Sequence, residues 1–125
     1  MQANELRIGN YVASDHFKDR DVIVKIRLIG QDQAIVEHPN GLSEPMLYKG
    51  EMMGVMLTEE ILINNCGFER HPELTWLLSN GMMTLNTGNH NTWQYAKSVL
   101  KEINYLHILQ NVFYALHQRE LEVKL

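Results

Sequence analysis

The stretch Asn104–Gln118 constrains the fold more than any other part of the chain, because it has helical periodicity and contains no Asp, Glu, Lys or Arg. At about 100° per residue, one broad arc of such a helix is apolar. This arc carries Tyr105, Leu106, Ile108, Leu109, Val112, Phe113 and Leu116. The opposite arc carries His107, Gln110, Asn111, Tyr114 and Gln118. The pattern predicts a long helix over 105–118, with Asn104 as its N-cap.

The uncharged polar arc predicts that this helix is covered on more than one side. A helix face in water normally carries charged residues, and burying amides, hydroxyls or imidazoles costs less than burying charge. The cover could be loops of the same chain, a partner subunit or a ligand. One interpretation is a half-buried structural helix. The other is a functional or subunit-contacting face, for which His107, Asn111 and Tyr114 are the candidates.

Length and cysteine content favour a single intracellular domain. The chain has 125 residues, enough for one domain with a core of its own. Cys66 is the only cysteine, so no disulfide can form within the chain and a reducing compartment is indicated. No apolar run approaches the roughly 18 residues that cross a bilayer, and the first residues lack a signal-peptide core. We therefore expect a cytoplasmic protein with no membrane partner.

The charge distribution restricts the possible partners. The net charge is −4, and the Lys and Arg residues are scattered along the chain. Long nucleic acids are therefore not expected as partners, because their binding depends on neutralising many phosphates. A small anionic ligand remains compatible with the sequence, since one or two cations and a few backbone amides can hold it.

Alternating apolar and polar residues predict a group of antiparallel strands near the N-terminus. The segments are Leu6–Ala13, with a bend at Gly9-Asn10, then Val22–Ile29 and Ala34–His38. In the second segment, one face is predicted to carry Val22, Val24, Ile26 and Leu28. Turns are predicted at 30–33 and 39–41. Three short strands with a glycine bend predict a strongly curved meander or half-barrel.

Methionine is concentrated in the next segment, residues 42–57. Four methionines fall within eleven positions, at Met46, Met52, Met53 and Met56. Methionine fills irregular gaps in cores and also forms adaptable binding surfaces. We favour short strands with these methionines in the core, and the alternative is a contact surface lined by them.

A short helix is predicted in the middle of the chain. Thr58 is its N-cap, and Glu59 and Glu60 suit the positive end of the helix dipole. Gly67 ends the helix at a position that tolerates a left-handed backbone. Cys66 then lies at the helix C-terminus, where the dipole does not favour a thiolate.

The remaining signals predict a hairpin and a final strand. After strands in Phe68–Ser79, the Asn80-Gly81 pair predicts a tight turn from which Met82–Asn86 returns antiparallel. Near the C-terminus, Leu121, Val123 and Leu125 alternate with charged residues. This alternation predicts a strand that returns to a sheet edge.

Three groups of landmarks carry a resemblance to a family. They are Glu5-Leu6-Arg7-Ile8-Gly9-Asn10-Tyr11-Val12; Leu57-Thr58-Glu59-Glu60-Ile61-Leu62 with Cys66-Gly67-Phe68; and Tyr105–Leu116 with Arg119-Glu120-Leu121. In these landmarks the chain resembles a family of small uncharacterised proteins of gut bacteria, their phages and their mobile elements. Such relatives often have Thr-Gly after the helix, where this chain has His117-Gln118. The resemblance implies a phage or mobile-element origin, and it supplies no catalytic or ligand residues to carry over to this chain.

Catalytic and metal-binding patterns are absent from the sequence. It has no Gly-rich phosphate loop, and its six histidines are spread singly without metal-ligand spacing. Cys66 and His71 lie close in sequence, which would suit a thiol nucleophile, but the apolar helix and its dipole favour a packed structural cysteine. We therefore expect no catalytic residue, no metal, no cofactor and no enzymatic activity.

The segment Asn86–Tyr95 is the first candidate for recognition. It combines amides, hydroxyls, an imidazole and two aromatic rings that could stack on a base, with cations nearby for a phosphate. The candidate ligand-binding residues are Arg70, Asn86, Asn89, His90, Asn91, Trp93, Tyr95 and Lys97. The alternative is that Trp93 and Tyr95 are strand residues that face the core.

Together these patterns predict an α+β fold. Antiparallel meander or half-barrel strands pack on a long C-terminal helix, with one short middle helix. We expect a single domain, with a β-rich part at 1–57 and a helix and hairpin part at 58–125. The expected function is non-enzymatic sequestration of a small anionic, nucleotide-like signal used in host defence, by a homo-oligomer. The alternative is a structural or protein-interaction protein without a small ligand.

Overall fold

The computed structural model describes residues 6–14, 22–37, 45–74, 77–87, 93–95 and 103–124. Two compact units make up the chain, Met1–Val55 and Met56–Leu125. Each unit contains an antiparallel sheet, and the second also contains two helices. This confirms the predicted α+β class, although the C-terminal helix is modest in length, at 12 residues. The predicted turn at 39–41 lies outside the described residues.

The first unit contains a five-stranded antiparallel sheet. Its strands are β1 (Tyr11–Ser14), β2 (Val22–Ile29), β3 (Gln33–Glu37), β4 (Met46–Tyr48) and β5 (Met52–Met53). The spatial order is β4-β3-β2-β1-β5. The first four strands form a meander, and β5 returns to pair with the free side of β1. The prediction of β2 is confirmed at both ends, and that of β3 to within one residue.

A short connection makes this sheet curl strongly. The two edge strands β4 and β5 are joined only by the 3-10 turn Lys49–Glu51. In a flat sheet, strands at opposite edges of a set of five would lie about 19 Å apart. The link from Tyr48 to Met52 can span at most about 14 Å even when fully extended. The sheet must therefore bend its edges towards each other, in agreement with the predicted curvature.

The concave side of the sheet holds the core of the first unit. Its buried residues are Val12, Val24, Ile26, Ala34, Val36, Leu47 and Met52. Leu6 packs against this cluster. These residues alternate with exposed or half-buried neighbours along each strand, as expected for a sheet with one buried face.

A bulge in β2 breaks the predicted alternation. Ile26 pairs with Val36, but Leu28 pairs with Ile35, so Arg27 is an extra residue on this strand. The bulge moves Leu28 to the convex face, where it is 53% exposed. The prediction that Leu28 shares the face of Val24 and Ile26 is therefore wrong.

The convex face carries a row of three apolar side chains. Leu28 pairs with Ile35, and Ile35 pairs with Met46, so the three lie side by side across β2, β3 and β4. We call these three residues the outer row. Tyr48, two residues after Met46, is 55% exposed on the same face.

The predicted methionine core is wrong for three of the four residues. Met52 is buried, whereas Met46, Met53 and Met56 are 45%, 40% and 54% exposed. Successive side chains of a strand point to opposite faces of the sheet. Leu47 points inward on β4, so its neighbour Met46 points outward.

The predicted bend at Gly9-Asn10 is confirmed. Gly9 has φ of 95°, and the backbone amide of Arg7 donates to Oδ1 of Asn10 at 2.6 Å. This bend interrupts the predicted strand Leu6–Ala13, so β1 begins at Tyr11 and not at Leu6.

The second unit contains a four-stranded antiparallel sheet and two helices. Its elements are α1 (Glu59–Asn64), β6 (Glu69–Arg70), β7 (Leu77–Ser79), β8 (Thr84–Thr87), β9 (Trp93–Tyr95) and α2 (Leu106–His117). The strand order is β6-β7-β8-β9.

Local signals for α1 and the hairpin are confirmed. Oγ1 of Thr58 accepts from the amide of Ile61 at 3.1 Å, and Gly67 has φ of 75°. Oδ1 of Asn80 accepts from the amides of the following turn, and Gly81 has φ of 90°. The returning strand β8 begins at Thr84, slightly later than predicted.

The start of α2 differs from the prediction. Its N-cap is Tyr105, which makes no side-chain cap hydrogen bond. Asn104 is instead held extended, because its carbonyl accepts from the amide of Leu57 at 2.9 Å and Tyr105 bridges to Met56. This pairing delays the helix by one residue, so the prediction of Asn104 as the cap is wrong.

The end of α2 is a left-handed residue. Gln118 has φ of 55° and ψ of 32°, and its amide donates to the carbonyl of Tyr114 at 2.7 Å. Glycine adopts this conformation without the steric cost that a side chain carries.

The final residues do not form the predicted strand. Residues 120–124 lie outside any sheet, and Lys124 is fixed to the residue that caps α1. The amide of Lys124 donates to the carbonyl of Asn65 at 2.8 Å, and Nδ2 of Asn65 donates to the carbonyl of Lys124 at 2.5 Å. Leu121 is buried. We call residues 119–124 the tail.

We expect Gln118→Gly to raise the free energy of unfolding. Relief of the left-handed strain is worth about 1–2 kcal/mol, and the extra entropy of glycine in the unfolded chain offsets part of it, leaving about 0.5–1 kcal/mol. Urea denaturation measures the change. Gln118→Ala keeps the strain and is the matched control, with little expected gain. Equal gains in both variants would contradict the explanation.

Candidate ligand-binding site

A cleft of about 330 Å³ lies in the second unit, beside the tail. It is lined by Cys66, Gly67, Asn80, Met82, Phe113, Arg119, Glu120, Leu121 and Glu122. We call it the tail cleft. Its lining comes from the loop after α1, the turn between β7 and β8, the last half of α2 and the tail. Four separate parts of the chain therefore converge on one space.

The apolar part of the tail cleft consists of buried side chains. Cys66, Phe113 and Leu121 are all nearly inaccessible to solvent. Burial raises the pKa of the Cys66 thiol from its ordinary value of 9.0 to about 11. The thiol therefore stays protonated near neutral pH and contributes a small, weakly polar surface. The predicted packing of Cys66 is confirmed, because its side chain is buried.

The polar part of the tail cleft is dominated by an arginine. Nη1 of Arg119 donates to Sδ of Met82 at 3.9 Å. Within the residues that the structure describes, this weak bond to sulfur is the only hydrogen bond or ion pair of the guanidinium. Glu120 and Glu122 bring two carboxylates to the same cleft, and all three charged residues are exposed to solvent.

The hairpin fixes the opposite wall. Oδ1 of Asn80 accepts from the amides of Met82 and Met83 at 3.0 and 2.8 Å, which holds the Asn80 side chain in one orientation. Met82 is 42% exposed, so its thioether is available at the rim of the cleft. Thioethers are polarisable and contact aromatic rings favourably.

The predicted recognition residues of Asn86–Tyr95 are only partly described. Arg70 lies on β6 and forms an ion pair with Glu59. Asn86, Trp93 and Tyr95 lie on the paired strands β8 and β9, and their side chains are outside the description. Asn89, His90, Asn91 and Lys97 fall outside the described residues. Arg70, the one predicted ligand-binding residue whose side chain the structure describes, is not among the residues that line the tail cleft.

The uncharged residues of α2 differ in exposure. His107 is buried, and its ring stacks on Tyr105 with centroids 5.7 Å apart. Gln110 is buried, Asn111 is half-buried and Tyr114 is 43% exposed. The predicted cover of the uncharged arc is therefore confirmed at His107 and Gln110, and it does not extend to Tyr114.

Sequence reasoning missed the tail cleft because its residues are far apart in the chain. The one local signal was Arg119-Glu120-Leu121-Glu122, in which charge reappears directly after a charge-free helix. Because apolar and charged residues alternate from Leu121 onwards, the pattern indicates an edge strand and not the wall of a cleft.

The described residues contain neither a metal-binding group nor a membrane-spanning helix. Among them, no group of three or more His, Cys, Asp or Glu side chains could hold a metal ion. No helix in the same part of the chain has the length and apolar character needed to cross a membrane.

The raised pKa of Cys66 predicts a loss of stability at alkaline pH. The folded thiol loses its proton only near pH 11, whereas the unfolded thiol loses it near pH 9.0. The stabilisation is fully present below pH 9 and is lost as pH rises towards 11, by about 1–2 kcal/mol at pH 10.5.

Chemical denaturation at pH 8 and pH 10.5 tests this loss. Cys66→Ala is the control, because it removes the thiol and leaves every other titrating group in place. We expect a smaller pH-dependent loss in Cys66→Ala than in the unaltered chain. Identical losses would show that burial of the thiol does not shift its ionisation.

Comparisons with protein-family models, with curated proteins and with solved structures give no match for the chain.

Proposed function

We propose that this chain is a non-enzymatic binding protein that holds a small nucleotide-like ligand in the tail cleft. The observation that carries the proposal is the guanidinium of Arg119, which has no carboxylate partner among the described residues and stands beside the buried Phe113 and Leu121. An available cation next to an apolar surface suits a ligand with an anionic group and a flat apolar body.

The size and chemistry of the cleft support a small ligand. Its volume of about 330 Å³ lies at the lower end of the range of about 300–1,000 Å³ for small-molecule pockets. Arginine presents a planar fork that matches phosphate and carboxylate oxygens. Met82 and the apolar lining offer van der Waals contacts to a nucleobase, and such contacts depend little on which base is present.

The chemistry of Cys66 favours binding over turnover. It is the only thiol in the chain, and its raised pKa keeps it in the weakly nucleophilic protonated form near neutral pH. The two carboxylates of the cleft are exposed to water. They do not share an apolar pocket, which in acid–base enzymes keeps one carboxyl group protonated while the other is ionised.

The biological form of the proposal is sequestration. The resemblance to proteins of phages and mobile elements, together with a reduced cysteine, is compatible with a cytoplasmic protein that binds a signal used in host defence. A protein of this kind needs affinity and abundance, and no catalytic group. We propose that it acts as a homo-oligomer.

Isothermal titration calorimetry with a panel of nucleoside monophosphates and cyclic nucleotides tests the binding site. We expect Arg119→Ala to weaken binding roughly ten- to hundredfold, because a charged hydrogen-bond donor to the anionic group is lost. Arg27→Ala, which removes an exposed arginine of the first unit, is the matched control and should bind normally. Chromatography should recover the ligand unchanged. Absence of heat with every nucleotide would overturn the proposal.

A second candidate function is a protein–protein contact, and the outer row is the observation that favours it. Leu28 and Met46 are 53% and 45% exposed on the convex face of the first sheet, beside the half-buried Ile35. Contiguous apolar side chains on a surface often mark interaction sites. The outer row is therefore a second candidate for the protein–protein contact, beside the face of α2 that carries Asn111 and Tyr114.

Light scattering of single variants separates these two surfaces. If the outer row joins subunits, Leu28→Glu should lower the molar mass to that of one chain, because the charge would be buried at the interface. Tyr114→Glu reports on the α2 face in the same way. A mass that neither substitution changes would remove both surfaces as subunit contacts. Circular dichroism checks that each variant is folded.

A further inference from the structure

The charges in the tail cleft define its ligand more narrowly than size alone. Arg119 and Glu122 both line the cleft and carry opposite formal charges. Within the described part of the chain they do not form an ion pair with each other, and Glu122 forms none with any other residue. The cleft therefore offers Arg119 as a binding group for an anion and Glu122 as a binding group for a cation.

The arrangement of the tail explains why the two charges stay apart. Leu121 lies between them in sequence and is buried, which anchors the tail at this point. Lys124 is fixed to Asn65 by two hydrogen bonds. With the tail held at both places, its charged side chains are presented to the cleft without meeting each other.

We propose that the tail cleft selects a dipolar ligand, with one anionic group at Arg119 and one amino or cationic group at Glu122. This inference rests on the proposed function, which supplies the site, and it adds the charge pattern of the ligand. A guanidinium binds one phosphate or carboxylate group as a fork, and a carboxylate accepts strongly from an amino donor.

The charge pattern disfavours ligands with several negative charges. A second or third phosphate would lie near Glu122 in a cleft that offers one arginine for compensation. Like charges at short range repel, and water and salt reduce this repulsion only in part at a partly enclosed site. A cyclic mononucleotide with an amino-bearing base has the required pattern, and so does a free amino acid.

Matched ligand pairs in calorimetry test the inference. The first pair is 3′,5′-cyclic AMP against purine riboside 3′,5′-cyclic monophosphate, which lacks the amino group of the base and has no other donor in its place. The second pair is 3′,5′-cyclic AMP against AMP, which carries more negative charge. We expect roughly three- to tenfold tighter binding of 3′,5′-cyclic AMP in both pairs, by the ordinary strength of a charge-assisted hydrogen bond or a like-charge contact.

Glu122→Gln provides the decisive variant. It should reduce both preferences to less than about twofold, because it removes the charge that attracts the amino group and repels the extra phosphate charge. Glu73→Gln changes an exposed carboxylate outside the cleft and should leave both preferences unchanged. Preferences that persist in Glu122→Gln would overturn the inference.

The outcomes for the two proposals are distinguishable. Binding of nucleotides without either preference would retain the proposed function and overturn the dipolar selection. Heat with phenylalanine or leucine at the same cleft, abolished by Arg119→Ala and Glu122→Gln, and none with nucleotides would retain the selection and overturn the nucleotide-like function. No heat with any of these ligands would overturn both.

Discussion

Two hydrogen bonds between Asn65 and Lys124 are the interaction on which the candidate site depends. They join residues that are 59 positions apart in sequence and hold the end of the chain against the C-terminus of α1. Burial of Leu121 adds an apolar anchor between this point and the end of α2. Because residues 119–122 supply nearly half of the lining, the tail cleft exists only while the tail is held in this position.

Much of the fold could be predicted from local patterns. The alternation in Val22–Ile29, the cap at Thr58 and the glycines at 67 and 81 depend on a few neighbouring residues, and the structure confirms them. The errors come from pairing between distant segments. The bulge at Arg27 is a property of the β2–β3 register, and Asn104 is drawn out of the helix by Leu57, which no local pattern reveals.

The candidate site was less predictable than the fold for the same reason. The absence of charge from Asn104–Gln118 predicted that the polar face of α2 is covered, and His107 and Gln110 are indeed buried. The tail cleft, however, brings together residues from 66 to 122. Alternation of three apolar residues in 121–125 is compatible both with a strand in a sheet and with an extended segment bound to the end of a helix, so the pattern alone could not predict the cleft.

The short link between β4 and β5 has a consequence for how much free strand edge the first sheet presents. Open sheets can recruit further strands through the unsatisfied backbone groups of their edges. Here the outermost strands are only three and two residues long, and the turn Lys49–Glu51 passes directly from one to the other. Among the described residues, few edge amides and carbonyls of this sheet are left for a foreign strand, which limits edge-to-edge pairing through it.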